Sequence, residues 1–315
     1  MEKLKIVFMG TPEFAVGILD TICQNKYEVV GVITAADKPA GRGQKVSTSA
    51  VKDYAVTNNL RLLQPTNLKD EVFIEELKSL NANLFVVVAF RMLPEVVWKM
   101  PKLGTFNLHA SLLPQYRGAA PINWAIINGE EKTGVTTFFI DDKIDTGAMI
   151  LQSETSISKN ETAGELHDRL IEIGSKAVIE SLELIEKGNA KPQQQDDSLI
   201  TKTAYKLNKD NCKIDWNKSG VEIHNHIRGL SPYPASWTIL KDNENEWNMK
   251  IYESIFTEEE HQLKIGTVIT SKKELSIAVK KGMLSIKVLQ FPGKKKMKTH
   301  ELLNGIQLTE NAMVI

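Results

Sequence analysis

The chain has 315 residues, of which 42% are hydrophobic and 25% charged, values typical of a folded globular protein long enough for two domains. No apolar run is long enough to cross a bilayer and the first residues do not form a secretory signal, so we expect a cytoplasmic protein without membrane association. The 39 basic and 39 acidic residues cancel, and two distant cysteines, Cys23 and Cys212, favour a reducing compartment over a disulfide framework.

The first two hundred residues alternate buried-strand patterns with helix patterns. Runs rich in Val, Ile and Phe predict strands at residues 4–9, 29–34, 84–90, 105–109 and 135–140. Helices are predicted between them at residues 12–23, 49–58, 69–80 and 121–127. This alternation predicts an α/β fold with a doubly wound, mostly parallel sheet of the Rossmann-like kind. Ligands of such sheets bind at the carboxyl ends of the strands, where Phe90, His109 and the turn after Ile140 would lie.

The pattern changes after a long amphipathic helix predicted at residues 162–187. The polar, proline-led stretch 191–205 is typical of a linker. Beyond it we predict a short helix at 221–229 and short strands at 237–240, 248–255, 264–269, 275–279 and 284–288. These strands predict a small, OB-like β-barrel. We therefore expect an α/β catalytic domain at 1–190, a linker at 191–205 and a barrel domain at 206–315.

Charge is divided unevenly between these parts. Residues 206–315 contain 17 Lys or Arg and 13 Asp or Glu, a net charge of +4, and the 22 basic and 26 acidic residues before them give −4. An acidic part followed by a basic part fits an enzyme domain joined to a domain that docks a polyanion. The asymmetry is modest, and by itself it does not establish a nucleic-acid partner.

Two segments combine the side chains that acyl transfer to an amine requires. Asn107 and His109 are two residues apart on a predicted strand, so their side chains share one face. Asp145 follows the next predicted strand, just before a Thr-Gly turn. The amide can donate to a developing oxyanion, the imidazole can move or hold a proton, and the carboxylate can orient the imidazole. Each residue alone would more often be structural.

Motifs along nearly the whole chain give it a resemblance to a known family. In chain order they are Met9-Gly10-Thr11-Pro12-Glu13-Phe14, Asp37-Lys38-Pro39-Ala40-Gly41-Arg42-Gly43, Gln64-Pro65-Thr66, Asn107-Leu108-His109, Ser111-Leu112-Leu113-Pro114, Tyr116-Arg117-Gly118-Ala119-Ala120-Pro121, Asp145-Thr146-Gly147, Lys213-Ile214-Asp215-Trp216 and Leu289-Gln290-Phe291-Pro292-Gly293-Lys294-Lys295-Lys296-Met297. With them the chain resembles the folate-dependent formyltransferase superfamily, and within it the enzymes that formylate methionyl-tRNA.

The resemblance implies direct acyl transfer through a tetrahedral intermediate. The formyl group of 10-formyltetrahydrofolate would pass to the free amino group of initiator methionyl-tRNA, giving the N-formylated aminoacyl-tRNA of translation initiation. Asn107, His109 and Asp145 match the catalytic trio of the family without departure. No covalent enzyme intermediate is needed, because Ser111 lacks the G-x-S-x-G context of a nucleophile.

The resemblance also places the folate. The segment with Ser111, Leu112, Leu113 and Pro114 would form a rigid wall beside it, although taken alone this tetrapeptide is more simply a strand exit. The pterin would lie against backbone near Arg91 and Leu93 and against the loop with Asp142. This chain has Ala89-Phe90-Arg91-Met92 where many relatives carry Tyr-Gly before Leu-Pro, which puts side-chain contacts there in doubt but leaves the pocket.

Two basic segments are candidate tRNA contacts, the first by its match to a tRNA-binding loop of the family and the second by its charge. The first is the loop 35–47, in which Arg42 would be the chief contact to the acceptor end. The second is the cluster near the end of the barrel domain. The candidate contacts are Lys38, Arg42, Lys45, Lys294, Lys295, Lys296 and Lys298. By composition alone the first segment is a flexible surface loop and the second a solvated turn.

Other cofactors and functions are less well supported. The first turn lacks G-x-G-x-x-G, which argues against a nicotinamide cofactor. His224 and His226 point apart on a predicted helix and lack a third ligand, so no metal is expected. A sugar-nucleotide N-formyltransferase with the same catalytic segment is the main alternative, and a non-catalytic tRNA- or folate-binding protein is a third. We expect a monomer.

Overall fold

The computed structural model describes residues 3–40 and 45–315 of the chain. Up to the longest helix the elements are β1 (Lys5–Gly10), α1 (Glu13–Gln24), β2 (Glu28–Ile33), β3 (Lys38–Ala40), β4 (Lys45–Ser47), α2 (Ala50–Thr57), β5 (Leu62–Leu63), α3 (Glu71–Ser79), β6 (Leu84–Val88), α4 (Glu95–Trp98), β7 (Thr105–His109), β8 (Arg117–Gly118), α5 (Pro121–Ile127), β9 (Lys132–Phe139), β10 (Met149–Ser156) and α6 (Ala163–Glu186). A 3-10 turn (Asp197–Leu199) precedes β11 (Thr203–Ala204), α7 (Gly220–Leu230), β12 (Ser236–Asp242), β13 (Asn245–Glu258), β14 (Val268–Thr270), β15 (Leu275–Val279), β16 (Gly282–Gln290), β17 (Met297–Lys298), α8 (Thr299–Leu303) and β18 (Met313–Val314).

These elements form two compact units that are not contiguous in sequence. The first unit comprises Met1–Pro121, Thr133–Ser156 and His167–Thr203, and the second comprises Ile122–Lys132, Ile157–Leu166 and Ala204–Ile315. No helix within the described ranges is long and apolar enough to cross a membrane.

The first unit is built on a seven-stranded sheet of order β10-β9-β7-β6-β1-β2-β5. Strands β5, β2, β1, β6 and β7 are parallel to one another, and β9 is antiparallel to β7. All five residues of β6 are buried, as expected for a central strand covered on both faces. The predicted α/β fold with a mostly parallel sheet is confirmed.

Helices lie on both faces of this sheet, and each packs against it because one side of the helix is apolar. In α1 the buried side chains are Phe14, Ala15, Ile18, Leu19 and Ile22, a spacing that places them on one side of the helix. Ser49 and Asp70 cap α2 and α3, their side chains accepting hydrogen bonds from the backbone N–H of Lys52 and Phe73.

The second unit contains the β-barrel predicted from the sequence. Its strands pair in the order β14-β15-β16-β13-β12-β18, and the pairs are antiparallel. The barrel closes where Val268 N donates to Ala312 O and Val314 N donates to Gly266 O, each at 2.9 Å. Helix α7 begins at a capping box formed by Ser219 and Glu222.

Two stretches from the middle of the chain pack with α7 in this unit. The Asn123 amide donates to Gly229 O at 2.8 Å. The buried Arg228 guanidinium donates to the carbonyl oxygens of Glu161, at 2.9 Å, and Ser158, at 3.3 Å. These long-range bonds explain why residues 122–132 and 157–166 belong to the barrel unit.

Candidate active site

Strand β7 presents Asn107 and His109 on one face of the sheet. Leu108, which lies between them, is buried against α6, because a Cβ added at Gly174 would lie 2.8 Å from the Leu108 side chain. Side chains alternate along a strand, so Asn107 and His109 emerge on the opposite face. His109 is buried and Asn107 is half-buried. Within residues 3–40 and 45–315 the Asn107 amide has no hydrogen-bond partner, so its donors are available to a ligand.

Both nitrogens of the His109 ring face oxygen acceptors. Nε2 lies 2.8 Å from the backbone oxygen of Tyr116. A carbonyl oxygen only accepts, so Nε2 carries the proton of this hydrogen bond, and Nδ1 is the nitrogen left to face another partner. Nδ1 lies 3.8 Å from Asp145 Oδ2, which is longer than a hydrogen bond and short enough for an ion pair with a protonated ring.

Asp145 is held in an unusual backbone conformation. Its φ is +56°, in the left-handed region that residues other than glycine rarely adopt. The Gly118 N–H donates to Asp145 Oδ2 at 2.9 Å. The Gln195 amide donates to Asp145 O and to Gly147 O, both at 2.9 Å. These hydrogen bonds hold both the side chain and the backbone of Asp145. They keep its carboxylate facing His109.

The route by which Asp145 reaches His109 differs from the prediction. We expected the turn after Ile140 at the carboxyl end of the parallel strands. That expectation is wrong, since β9 is antiparallel to β7 and Ile140 N donates to Thr105 O, at the beginning of β7. Residues 141–147 must therefore return along the face that carries Asn107 and His109. The return is tight, because a Cβ at Gly147 would lie 1.6 Å from Phe139 O.

The segment after His109 is fixed by hydrogen bonds. Ser111 is fully buried and its hydroxyl donates to Gln115 O at 2.7 Å, so this hydroxyl is engaged. The Thr136 hydroxyl donates to Ser111 O at 2.7 Å and accepts from Leu113 N at 3.1 Å. The Gln152 amide donates to Leu113 O at 2.8 Å. These bonds make residues 111–115 a rigid wall beside the imidazole.

The predicted folate residues differ in how far their side chains are exposed. Leu113 and Leu93 are buried, and Leu93 packs in a hydrophobic cluster of the first unit. Leu112 and Pro114 are half-buried, whereas Asp142 is exposed. A side chain buried in the core leaves only its backbone for a ligand, so Leu93 can contribute main-chain contacts.

Arg91 is exposed and bonded to a neighbouring loop. Its guanidinium donates to Thr66 O at 2.9 Å and to Pro65 O. The same group lies 5.7 Å from the centre of the Phe90 ring. These contacts tie the segment after β6 to the Gln64-Pro65-Thr66 motif.

The first predicted tRNA-binding segment is a hairpin. Lys38 begins β3 and Lys45 begins β4, and these strands pair with each other, whereas Arg42 lies outside the described residues. Asp37, at the base of the hairpin, forms an ion pair with Lys52 and accepts from the Gln64 amide at 2.8 Å. The hydrogen bond from Lys52, and to a smaller extent that from Gln64, holds the pKa of Asp37 below its usual value.

The second predicted tRNA-binding segment forms an exposed turn between β16 and β17. Lys294, Lys295, Lys296 and Lys298 are all exposed. The Lys296 ammonium lies 4.7 Å from the centre of the Tyr252 ring and 4.0 Å from Glu253 Oε1. Contacts within its own unit therefore already occupy part of the Lys296 ammonium.

His224, the first of the paired histidines of α7, has a protein partner at each ring nitrogen, whereas the buried Nε2 of His226 has none among the described residues. His224 Nδ1 lies 3.1 Å from Ser254 Oγ and Nε2 lies 3.2 Å from Asn160 Oδ1. Burial lowers the pKa of His224 to about 4 and also lowers that of His226. Within the described part of the chain, no group of three His, Cys, Asp or Glu side chains is arranged to hold a metal ion.

Comparison with known proteins agrees with this fold and gives the family of the chain. Residues 4–182 match the formyl transferase family and residues 206–307 match the formyl transferase C-terminal domain. Methionyl-tRNA formyltransferases of Flavobacterium johnsoniae and Flavobacterium psychrophilum are 68% and 65% identical, each over the full length of both chains. A sugar 3N-formyl transferase crystallised with dTDP and 5-N-formyl-THF has the same fold, with a TM-score of 0.65 at 24% identity, covering 94% of this chain and all of its own.

The chain therefore belongs to the formyl transferases, and within them to the methionyl-tRNA formyltransferase family. Several residues at the site were not identified from the sequence. Gly118 and Tyr116 contribute through their backbone, which leaves little pattern in a sequence. Gln195 lies in a polar run that is typical of a linker, and Thr136 lies within an apolar strand.

Proposed function

We propose that Asn107, His109 and Asp145 carry formyl transfer to the amino group of methionyl-tRNA. Membership of the methionyl-tRNA formyltransferases gives the reaction, in which 10-formyltetrahydrofolate is the formyl donor and initiator methionyl-tRNA the acceptor. The observation that carries the assignment is the placement of all three side chains on one face of the sheet. There, the Asp145 carboxylate lies 3.8 Å from His109 Nδ1.

The reaction joins two substrates directly. The amino nitrogen of the methionyl ester attacks the formyl carbon and forms a C–N bond, giving a tetrahedral oxyanion. The bond to the folate nitrogen then breaks, and the proton lost by the amine passes to that nitrogen. Holding both substrates in one orientation supplies much of the rate, because it replaces a bimolecular encounter.

Asn107 and His109 would stabilise the oxyanion. The Asn107 amide has no partner among the described residues, so it can donate to the oxyanion without first breaking a protein hydrogen bond. His109 is fixed by Tyr116 O, which limits its ring to one orientation. An imidazolium at this position would place a positive charge next to the developing negative charge.

Asp145 would orient and balance the charge of His109. Its carboxylate faces Nδ1, so it stabilises the ring when that nitrogen holds a proton. We also propose that, through a water molecule, Asp145 helps to take the proton from the attacking amine. The hydrogen bond from Gly118 keeps the carboxylate in place during this step.

The two substrates would bind to different groups of residues. For the folate we propose the wall of Ser111, Leu112, Leu113 and Pro114, together with main-chain groups near Arg91 and Leu93 and the loop with Asp142. A flat heterocycle with polar atoms on one edge suits such exposed backbone.

We assign catalysis to the domain at 1–190. For the tRNA we propose the hairpin with Lys38, Arg42 and Lys45, and the barrel cluster Lys294, Lys295, Lys296 and Lys298 of the domain at 206–315.

We further propose that the protein acts as a monomer in the bacterial cytoplasm. Its relatives are bacterial proteins named for an aminoacyl-tRNA substrate, which supports this location. Light scattering of the purified protein tests the oligomeric state, and a mass of twice 35.3 kDa would contradict it.

One assay tests the reaction. Purified protein is incubated with 10-formyltetrahydrofolate and either methionyl-tRNA or an amino sugar nucleotide. We expect formylation of the methionyl-tRNA. Formylation of the sugar nucleotide with none of the tRNA would support the sugar-nucleotide alternative, and binding of both ligands without turnover would support a non-catalytic protein.

A further inference from the structure

The amide of Gln195 joins the loop of Asp145 to a neighbouring arginine. Its nitrogen donates to Asp145 O and Gly147 O, both at 2.9 Å. Its oxygen accepts from Arg117 Nη2 at 2.7 Å and from Arg117 Nε at 3.1 Å. Four contacts use both donors of the amide and both acceptor positions of its oxygen, so the group is fully bonded.

The chemistry of these contacts requires an amide. The two carbonyl groups only accept hydrogen bonds, and the guanidinium only donates them. A carboxylate could pair with Arg117 but would place an oxygen against two carbonyl oxygens. An aliphatic side chain would leave the carbonyls and the guanidinium without this partner. Among uncharged side chains of this length, glutamine meets both requirements.

These contacts belong to a closed network that holds Asp145 at two points. Gln195 bonds its backbone oxygen, and Gly118 N–H bonds its carboxylate. Gly118 follows Arg117, which is itself bonded to Gln195 and, at 2.8 Å, to Asp197. Asp145 has a φ of +56°, a conformation that persists only where surrounding contacts over-determine it.

We propose that Gln195 is a positioning residue that holds the Asp145 carboxylate against His109. This inference rests on the proposed role of Asp145 in formyl transfer. Gln195 touches neither substrate in this scheme and acts through Asp145, with Arg117 as its support. The polar stretch before the barrel domain thereby contributes to the site, although its sequence is typical of a linker.

Two variants and a matched control test the proposal. Gln195→Ala removes the network, and Gln195→Glu keeps the pairing with Arg117 while opposing the carbonyls of Asp145 and Gly147. We expect kcat to fall about 10- to 100-fold in both, because small displacements of a catalytic group carry such costs. Gln194→Ala changes the preceding, exposed glutamine and should leave kcat unchanged.

The kinetic constants separate positioning from a general loss of structure. The KM values for methionyl-tRNA and for the folate should change less than threefold, and thermal unfolding should show that each variant is folded. In an Asp145→Ala background, Gln195→Ala should lower kcat no further, because the residue that it positions is already absent. An equal additional loss in that background would overturn the proposal, as would full activity of Gln195→Glu.

The same variants distinguish this inference from the function on which it rests. If Asp145→Ala retains wild-type turnover, the role of Asp145 is wrong. If Asp145→Ala is inactive while Gln195→Ala has wild-type kcat, Asp145 keeps its role and the positioning role of Gln195 is wrong.

Discussion

At the residue scale, the site depends on His109, because both of its ring nitrogens face oxygen acceptors. Tyr116 O fixes Nε2 at 2.8 Å, and Asp145 Oδ2 lies 3.8 Å from Nδ1. The first contact sets the orientation of the ring, and the second compensates a positive charge on it. Asn107, two residues earlier on the same face, adds a neutral donor. In the proposed mechanism the three side chains therefore have different tasks, so none of them could replace another.

Replacing any of the three should affect turnover more than binding. We expect Asn107→Ala and His109→Ala each to lower kcat by roughly two to four orders of magnitude, as for a lost oxyanion donor or proton-transfer group. Asp145→Asn should be comparably severe, since it removes the charge that faces the imidazole. Steady-state kinetics with methionyl-tRNA measure the effect, with Gln194→Ala as the control. Turnover within about tenfold of wild type would remove that residue from its role.

The residues of the site differed in how predictable they were. Asn107 and His109 could be found because their spacing of two places them on one face of a strand. Asp145 was identified as a candidate by its motif. The antiparallel direction of β9 was not predicted, since a strand pattern does not record direction. Gln195 was missed because side chains that bond backbone atoms of a distant loop leave no periodic signal.

At the element scale, apolar periodicity identified most of the helices and central strands. Strands β7 and β15 and helix α5 have the predicted bounds, because each is a compact apolar run between turn residues. Strand β10 was missed because, at the edge of the sheet, three of its eight residues are exposed and polar and none is fully buried. Strand β18 contributes only two residues, too few to show a pattern, and yet it pairs with β12 within the barrel.

Helix α7 makes the stability of the barrel unit dependent on pH. Burial, with smaller contributions from the charges of Arg228 and Lys159, lowers the pKa of His224 from its ordinary 6.5 to about 4. The unfolded chain therefore binds a proton in a pH range where the folded chain does not. Stability from this group is complete above pH 6.5 and is lost as the pH falls towards 4. Between pH 7 and 5 we expect a loss of about 2 kcal/mol.

Urea unfolding followed by tryptophan fluorescence measures this loss. Four of the five tryptophans, Trp124, Trp216, Trp237 and Trp247, belong to the barrel unit, so the signal reports mainly its unfolding. His224→Gln keeps a polar side chain toward Ser254 and should flatten the pH dependence. His300→Gln, at an exposed position, should not. An unchanged slope in His224→Gln would contradict the assignment.

At the scale of the whole molecule, opposite net charges match the tasks proposed for the two parts of the chain. The chain is neutral overall, with a net charge of −4 before residue 206 and +4 from residue 206 onward. Phosphate contacts supply affinity that falls with added salt, whereas interactions among the partly buried side chains of the proposed trio are much less sensitive to salt. Salt dependence can therefore separate the docking of tRNA from formyl transfer.

The barrel lysines should control tRNA affinity alone. Changing Lys294, Lys295, Lys296 and Lys298 to Gln should raise the KM for methionyl-tRNA and flatten its dependence on salt, with the KM for the folate unchanged. Lys296 should contribute least, because Glu253 and Tyr252 already engage its ammonium. A variant with the same number of changes in the first unit, at the exposed Lys69, Lys78, Lys99 and Lys187, is the matched control.

Arg42→Ala should act on a different step from the barrel variant. In the proposed function Arg42 contacts the acceptor end of the tRNA near the reacting amine, so its loss should lower the rate at saturating tRNA by misplacing that amine. The barrel variant should instead recover the wild-type rate once tRNA is saturating. Initial rates over a series of tRNA and salt concentrations measure both effects. Wild-type tRNA kinetics of the barrel variant at every salt concentration would show that these lysines are not a docking surface.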